Sequence, residues 1–250
     1  MVQAPQRTAF SGPTLIRLLA RLADVEVTES RQALSDRLSQ WIHWTDAIAL
    51  STALNGNPPS ATPSAQAIGS AEETECARVL GALANAITGG GGSAAARRHG
   101  SVQSSSHTVP VDDAIDYPAF RQTYLSMQQT METGIGSLRA RLRIKLAART
   151  PAMIRLAEVD AVMERALSPR ERSLLATVPG LLGGHFERLR KAEREILADA
   201  SASQAPEDAP AIKPGAWLNA FRKDMQSVLL AELDLRFQPV EGLLAALRTS

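Results

Sequence analysis

DYPAFRQTYLSMQQTMETGIGSLRARLRIKLAARTPAMIRLAEVDAVMERAL, residues 116–167, is the longest stretch of the chain that could be near-continuous helix. Its apolar residues recur at steps of three and four, which is the period of an α-helix with one buried face. Asp116 precedes Pro118, an arrangement suited to a helix start because the first turn does not use the N–H that proline lacks. One side of this helix must therefore be covered.

A shorter piece of this stretch, Leu138–Leu146, reads LRARLRIKL and alternates between apolar and basic residues. Alternation is the pattern of a half-buried strand. The flanking sequence is helical, however, and no second strand is available to take the backbone hydrogen bonds. We therefore predict helix here, with a kink or restart at Pro151 because a proline cannot continue the hydrogen-bond ladder.

Composition favours the same class of fold. The chain has 250 residues, 44% of them hydrophobic and only 4% aromatic, which favours helices packed through aliphatic side chains. With 27 basic and 26 acidic residues the formal charge is +1, so no global field draws the chain to nucleic acid or to an anionic membrane. Cys76 is the only cysteine, which excludes an internal disulfide and the usual zinc spacings.

The sequence contains no apolar run long enough for a transmembrane segment and no secretory signal pattern, so we expect a cytoplasmic protein. The fold we predict is all-α, a helical bundle with long central helices and disordered linkers. Its expected parts are an N-terminal helical region (1–88), a flexible Gly/Ser-rich linker (89–113) that contains Gly89–Gly92, and a C-terminal helical bundle (114–250). Within them we expect a single helix from a cap at Ser30 to the turn that begins at Asn55, a new helix at Ser168 and a break at Pro239.

Residues of the types that catalyse reactions or bind metal ions are few and scattered. His43 lies between Trp41 and Trp44, a cluster more typical of core or interface anchors than of a ligand site. His185 has no second histidine at metal-ligand spacing. We therefore predict no catalytic residues, no cofactor and no metal, and an enzyme is the third of three function classes.

The candidate interaction surface is the start of the long helix. Tyr117, Phe120, Tyr124, Met127 and Met131 form a seam at the heptad-like spacing of a coiled coil. Part of this seam could serve a protein partner or self-association, since methionine and tyrosine suit a shared face, and burial in the core is the alternative.

A basic segment, Arg139–Arg155, supports the second function class, a nucleic-acid-binding regulatory protein. On a helix its charges nearly encircle the axis, whereas a groove-reading helix gathers them on one side. Nucleic acid is therefore a possible partner that we do not favour.

Three segments together resemble a known family. They are Thr8–Leu19, the stretch from Arg37-Leu38-Ser39-Gln40-Trp41 to Asp46-Ala47, and the region from Tyr117-Pro118-Ala119-Phe120 to Tyr124 and Met127. They resemble an uncharacterised family of beta-proteobacterial proteins, the domain-of-unknown-function family 3348. The resemblance brings no activity and no catalytic residues. It implies a cytoplasmic accessory near envelope proteins of proton-channel and OmpA-like type.

The function we expect first is therefore that of a non-catalytic helical interaction or accessory protein in a larger bacterial assembly associated with an envelope complex. Large apolar helix faces and flexible connectors are present, and catalytic constellations are absent.

Overall fold

The computed structural model describes residues 13–26, 32–56, 70–98, 116–202 and 215–249. Within these ranges the chain forms eight α-helices and no strand, which confirms the all-α prediction and its long helices. The helices are α1 (Thr14–Ala23), α2 (Leu34–Trp41), α3 (Trp44–Asn55), α4 (Ser70–Arg98), α5 (Tyr117–Ala147), α6 (Pro151–Leu175), α7 (Val178–Ala202) and α8 (Ala216–Arg248).

α5 is the central element because it packs against four other helices, α4, α6, α7 and α8. Its buried side chains keep the predicted period and run along one face: Tyr124, Gln128, Met131, Ile135, Leu138, Leu142 and Leu146. Leu138–Leu146 lies inside α5, so the alternating pattern there is helical as predicted. The apolar period and the lack of a partner strand therefore outweigh the local alternation.

The N-terminal helices share one hydrophobic core with the C-terminal ones. Leu15 of α1 and Leu83 of α4 belong to the same buried cluster as Leu138 of α5 and Val228 of α8. α1 packs on α7 and α8, and α4 packs on α5 and α8. The predicted regions 1–88 and 114–250 are therefore joined by packing as well as by the chain between them.

α4 is longer than the sequence pattern predicts. It continues through Gly89–Gly92 to Arg98, where we expected the flexible linker to begin, and the rest of the predicted linker lies outside the described residues. Leu83 and Ile87 anchor the preceding turns in the core. Once a helix is nucleated, each further residue adds a hydrogen bond, so an anchored helix can extend through weak helix formers to the alanines that follow.

The single helix predicted between Ser30 and Asn55 is two helices, α2 and α3, and that prediction was wrong. Ile42 and His43 have extended backbones, with ψ angles of 115° and 161°, and His43 is the N-cap residue of α3. Both short helices pack on α6, the first less extensively than the second. Because of the break, α2 and α3 pack on α6 as separate helices.

Two prolines that were expected to mark helix boundaries, Pro169 a start and Pro239 a break, lie inside helices. α6 continues through Pro169 and α8 through Pro239. Phe237 and Val240 are buried on either side of the second proline, so tertiary packing holds both halves in line. Pro151 behaves as predicted, because α5 ends before it and α6 begins at it, with the Thr150 hydroxyl accepting a hydrogen bond from the Met153 N–H.

Gly183 on α7 is a position where a side chain does not fit. A Cβ atom built there would lie 2.9 Å from Cε1 of Tyr117. The Tyr117 ring cannot move freely, since its hydroxyl donates to the Pro179 carbonyl and its face packs on Phe186 at a centroid distance of 5.5 Å.

We expect Gly183→Ala to lower the free energy of unfolding by about 1–3 kcal/mol, because one methyl group overpacks this contact. The matched control is Gly180→Ala on the same helix, where a Cβ would meet nothing within 4 Å. It should raise stability by about 0.5–1 kcal/mol through helix propensity alone. Urea denaturation measures both, and equal effects would contradict the close approach of Tyr117.

Candidate functional site

The predicted interaction seam on α5 lies inside the bundle. Tyr124 and Met131 are fully buried, and Tyr117, Phe120 and Met127 are half-buried against the same core cluster. α7 and α8 cover this face. Tyr124 and Met131 therefore have no surface to offer a partner, and the expectation that part of the seam faces one stays a prediction for Tyr117, Phe120 and Met127. The alternative of core burial holds for Tyr124 and Met131, because α8 supplies a second broad apolar face in the same chain.

An aromatic cluster covers the first turn of the seam. The Phe186 ring of α7 lies within 4.8–5.9 Å, between ring centroids, of four other aromatic rings: Tyr117, Phe120, Trp217 and Phe221. The angles between ring planes, from 47° to 85°, include the edge-to-face geometry that aromatic pairs prefer. This cluster joins the starts of α5 and α8 to α7.

A group of polar side chains lies within the apolar core, and we call it the Glu232 cluster: Tyr124, Gln128, Glu232 and Arg236. The Glu232 carboxylate is fully buried on α8. It accepts hydrogen bonds from the Tyr124 hydroxyl at 2.6 Å, from the Gln128 amide at 3.0 and 3.1 Å, and from the Arg236 Nε at 2.9 Å. All its oxygens are thus satisfied, which is the condition for keeping a charge in a core.

The Glu232 cluster was missed by reasoning from sequence. Its members lie on two different helices, and the sequence separation of Tyr124 and Glu232 is 108 residues. One signal was available: Glu232 follows Val228 and Leu229 at helical spacing, so an acidic residue falls on the apolar face of α8. A buried carboxylate requires donors, but nothing in the sequence identifies which ones.

The cluster makes the stability of the fold sensitive to alkaline pH. Burial raises the pKa of the Tyr124 hydroxyl above its ordinary value, and Glu232 raises this pKa further. Because the folded state then holds the proton more tightly than the unfolded state, stability is complete below about pH 10 and falls as the pH rises above it.

We therefore expect Tyr124→Phe to have two effects. It should cost about 1 kcal/mol near neutral pH, where Glu232 loses a donor. Above about pH 10 it should make the loss of stability with pH shallower than in the unsubstituted chain. Denaturant titrations at a series of pH values from neutral to alkaline measure both effects, and parallel profiles for the two proteins would contradict the buried position of the hydroxyl.

The basic segment Arg139–Arg155 is largely occupied by ion pairs within the chain. Arg139 and Arg143 of α5 both contact Asp160 of α6, at 2.5 and 3.0 Å, and both lie within ion-pair distance of Glu164. Their side chains are only 14% and 18% exposed. These two arginines therefore bind α5 to α6 and are not available to phosphate groups.

Of the four other basic side chains in the segment, three have partners on or beside the N-terminal helices, and the Nε of Arg149 is buried without a hydrogen-bond partner. Arg141 pairs with Glu75 at 2.8 Å and Lys145 with Glu72 at 3.5 Å, both acids lying on α4. The Arg155 Nε donates to the Gly56 carbonyl at 3.1 Å. The charges that nearly encircle α5 thus match acidic groups on the helices around it.

α3 presents to solvent an uncharged surface that includes three large apolar side chains. Three large side chains project from it, Trp44, Ile48 and Leu54, which are 79%, 50% and 57% exposed. The smaller residues on the same side are uncharged as well: Thr45, Ala47, Ser51, Thr52 and Asn55. We call these eight residues the α3 outer face. The opposite side of the helix buries Ala53 and packs on α6.

Comparison with known proteins identifies the family. Residues 1–249 match the family described as Protein of unknown function (DUF3348). The chain belongs to this family. The match spans nearly the whole sequence, so it includes every helix described above. No curated protein and no solved structure matches the DUF3348 chain.

The histidines of the DUF3348 chain have different surroundings. His43 is exposed at the start of α3. The ring of His185 lies 2.9 Å from the Asp224 carboxylate and 6.2 Å, between centroids, from the Phe221 ring. Sequence spacing could not predict this pair, because Asp224 lies on a different helix. In the described ranges, no three His, Cys, Asp or Glu side chains are placed to hold a metal ion.

Cys76 is the only cysteine of the DUF3348 chain. Cys76 is buried on α4, and burial raises the pKa of its thiol, which keeps it in the unreactive protonated form.

Among the helices of the described residues, none combines the length and the apolar character that crossing a membrane requires.

Proposed function

We propose that this chain is a non-catalytic interaction protein of a larger bacterial assembly, and that it joins a second copy of itself through the α3 outer face. The proposed setting is the cytoplasmic side of an envelope complex. The observation that carries the proposal is the exposure of Trp44, Ile48 and Leu54 on one side of a helix whose other side is already buried. Large apolar side chains grouped on one exposed side of a helix are typical of a surface that binds a protein partner.

Charge supports a second copy as the occupant. The one charged residue of α3, Asp46, lies on the inner side of the helix and faces Arg165 of α6 at 3.7 Å. Two outer faces related by a twofold axis therefore meet without like charges, which a self-complementary interface requires. The exposed tryptophan supplies the kind of aromatic anchor that dominates such contacts.

Sedimentation equilibrium over a range of concentrations tests the proposal. We expect the unsubstituted chain to associate reversibly, and Trp44→Ser with Ile48→Ser to shift it to monomer. The matched control is Ile196→Ser on α7, a residue as exposed as Ile48, which should leave association unchanged. A chain that is monomeric at every concentration, or one whose association responds only to Ile196, would contradict the proposal.

The nucleic-acid alternative gains no support from the contacts of the basic segment. Arg139 and Arg143 already satisfy carboxylates of α6, so binding phosphate would require those ion pairs to break. We expect no saturable binding of duplex DNA near physiological salt. Fluorescence anisotropy at several salt concentrations measures this, and affinity that falls steeply as salt rises would favour the regulatory role instead.

A further inference from the structure

We infer that a cavity at the meeting of α2, α5, α6 and α8 binds an amphiphilic anion, a small molecule with one carboxylate or phosphate head and an apolar body. The cavity has a volume of about 330 Å³. Small-molecule sites in proteins begin at about 300 Å³. This inference does not depend on the α3 outer face, because its residues lie elsewhere.

The body of the ligand is indicated by the apolar part of the wall. Six apolar side chains line the cavity: Trp41, Ile135, Leu167, Leu174, Leu235 and Pro239. Gly136 also lines it, and a Cβ atom built there would meet nothing within 4 Å. The α5 wall is therefore open at this point, and an apolar group can approach the helix backbone.

The carboxylates around the cavity are already neutralised by arginines. Three acidic residues line the wall, and each has a guanidinium partner: Glu132 has Arg172 at 3.5 Å, Glu164 has Arg143 at 2.5 Å, and Glu171 has Arg236 at 3.0 Å. A cationic head group would therefore have to displace an arginine to find a partner here. The wall does not favour a cation.

One arginine of the wall has no such partner. Among the described residues, no carboxylate forms an ion pair with Arg170, and its guanidinium carbon lies 5.6 Å from the centroid of the Trp41 ring. Contact with the indole restrains the flat guanidinium group, whose N–H donors lie in its own plane. That geometry suits a carboxylate or phosphate head, which binds two parallel N–H groups. Arg170 thus places one positive charge without a carboxylate partner beside the apolar side chains of the wall.

Isothermal titration calorimetry with three eight-carbon probes tests the head group. Octanoate and octyl phosphate carry the two anionic heads on the same chain, and octylammonium carries a cation. We expect saturable binding of at least one anion and none of the cation. The stronger of the two anions identifies the head group. Failure of both anions to bind, or equal binding of octylammonium, would overturn the inference.

Two substitutions test the placement of the ligand. Arg170→Gln should weaken binding of the anion about tenfold, which is the effect of losing one charge-assisted contact. Gly136→Leu should abolish binding by filling the cavity, and its melting temperature should not fall, because leucine favours a helix and meets open space. Lys191→Gln, an exposed cation on α7, is the control and should have no effect. Anion binding that Arg170→Gln leaves at full strength, or that survives Gly136→Leu, would place the ligand elsewhere and overturn the inference.

Discussion

Arg236→Met should lower the free energy of unfolding by about 3–5 kcal/mol, which is the usual cost of removing one partner from a buried ion pair. The guanidinium of Arg236 is only 8% exposed and is the cation beside the fully buried Glu232. Without it the carboxylate keeps its contacts with Tyr124 and Gln128 but has no opposite charge. Chemical denaturation monitored by circular dichroism measures the loss.

The double variant Glu232→Leu with Arg236→Met tests whether the unpaired charge of Glu232 causes this loss of stability. It removes both charges together, so it should cost less than Arg236→Met alone, although Tyr124 then loses its acceptor. Lys191→Met, an exposed member of a surface ion pair on α7, is the control and should change stability within experimental error. A double variant at least as unstable as the single one would show that the buried charge is not what makes Arg236 necessary.

Phe186→Ala should be as damaging, with a loss of about 3–5 kcal/mol. This ring is fully buried and contacts four other aromatic rings, so its removal leaves a cavity where α5, α7 and α8 meet. The neighbouring rings hold one another in place and cannot easily collapse into the space. Thermal and denaturant unfolding both report the loss.

The control for Phe186→Ala is Trp44→Ala, which removes a larger side chain from a position that is 79% exposed. In monomeric protein it should change stability by no more than about 0.5 kcal/mol. A Phe186 variant close to the unsubstituted chain in stability would mean that α7 does not close the aromatic cluster.

The helical class of the fold could be read from α5 alone. Its apolar residues hold a helical period from Tyr117 to Leu146, and burial follows that period in the structure. The ends of other helices were less predictable, because a proline or a glycine indicates only the local conformational preference of the backbone. Pro169 and Gly89–Gly92 lie inside helices whose neighbouring turns are fixed by contacts that sequence does not show.

The candidate site was harder to predict than the fold. The seam at Tyr124 and Met131 was found, but an apolar face has the same pattern whether α8 or another protein covers it. The Glu232 cluster, by contrast, depends on which helices become neighbours. The exposure of Trp44 likewise follows from the break at Ile42–His43, since only one side of the shortened α3 packs on α6.

Assembly through the α3 outer face gives the central claim a direct spectroscopic test. Thr45 lies at the edge of this face and is exposed, so Thr45→Cys can carry a spin label without filling the centre of the interface. The only native cysteine, Cys76, is buried and would be replaced by alanine. In the associated protein the two labels, one on each copy, then lie beside the interface at a fixed distance from each other.

Pulsed electron–electron double resonance between these labels is the measurement that decides. If the chain associates through the α3 outer face, we expect a defined intermolecular distance between labels at position 45. This distance should disappear when Trp44→Ser and Ile48→Ser are added. Labels at the same position that show no dipolar coupling, in protein that sedimentation shows to be associated, would contradict it and place the interface on another face.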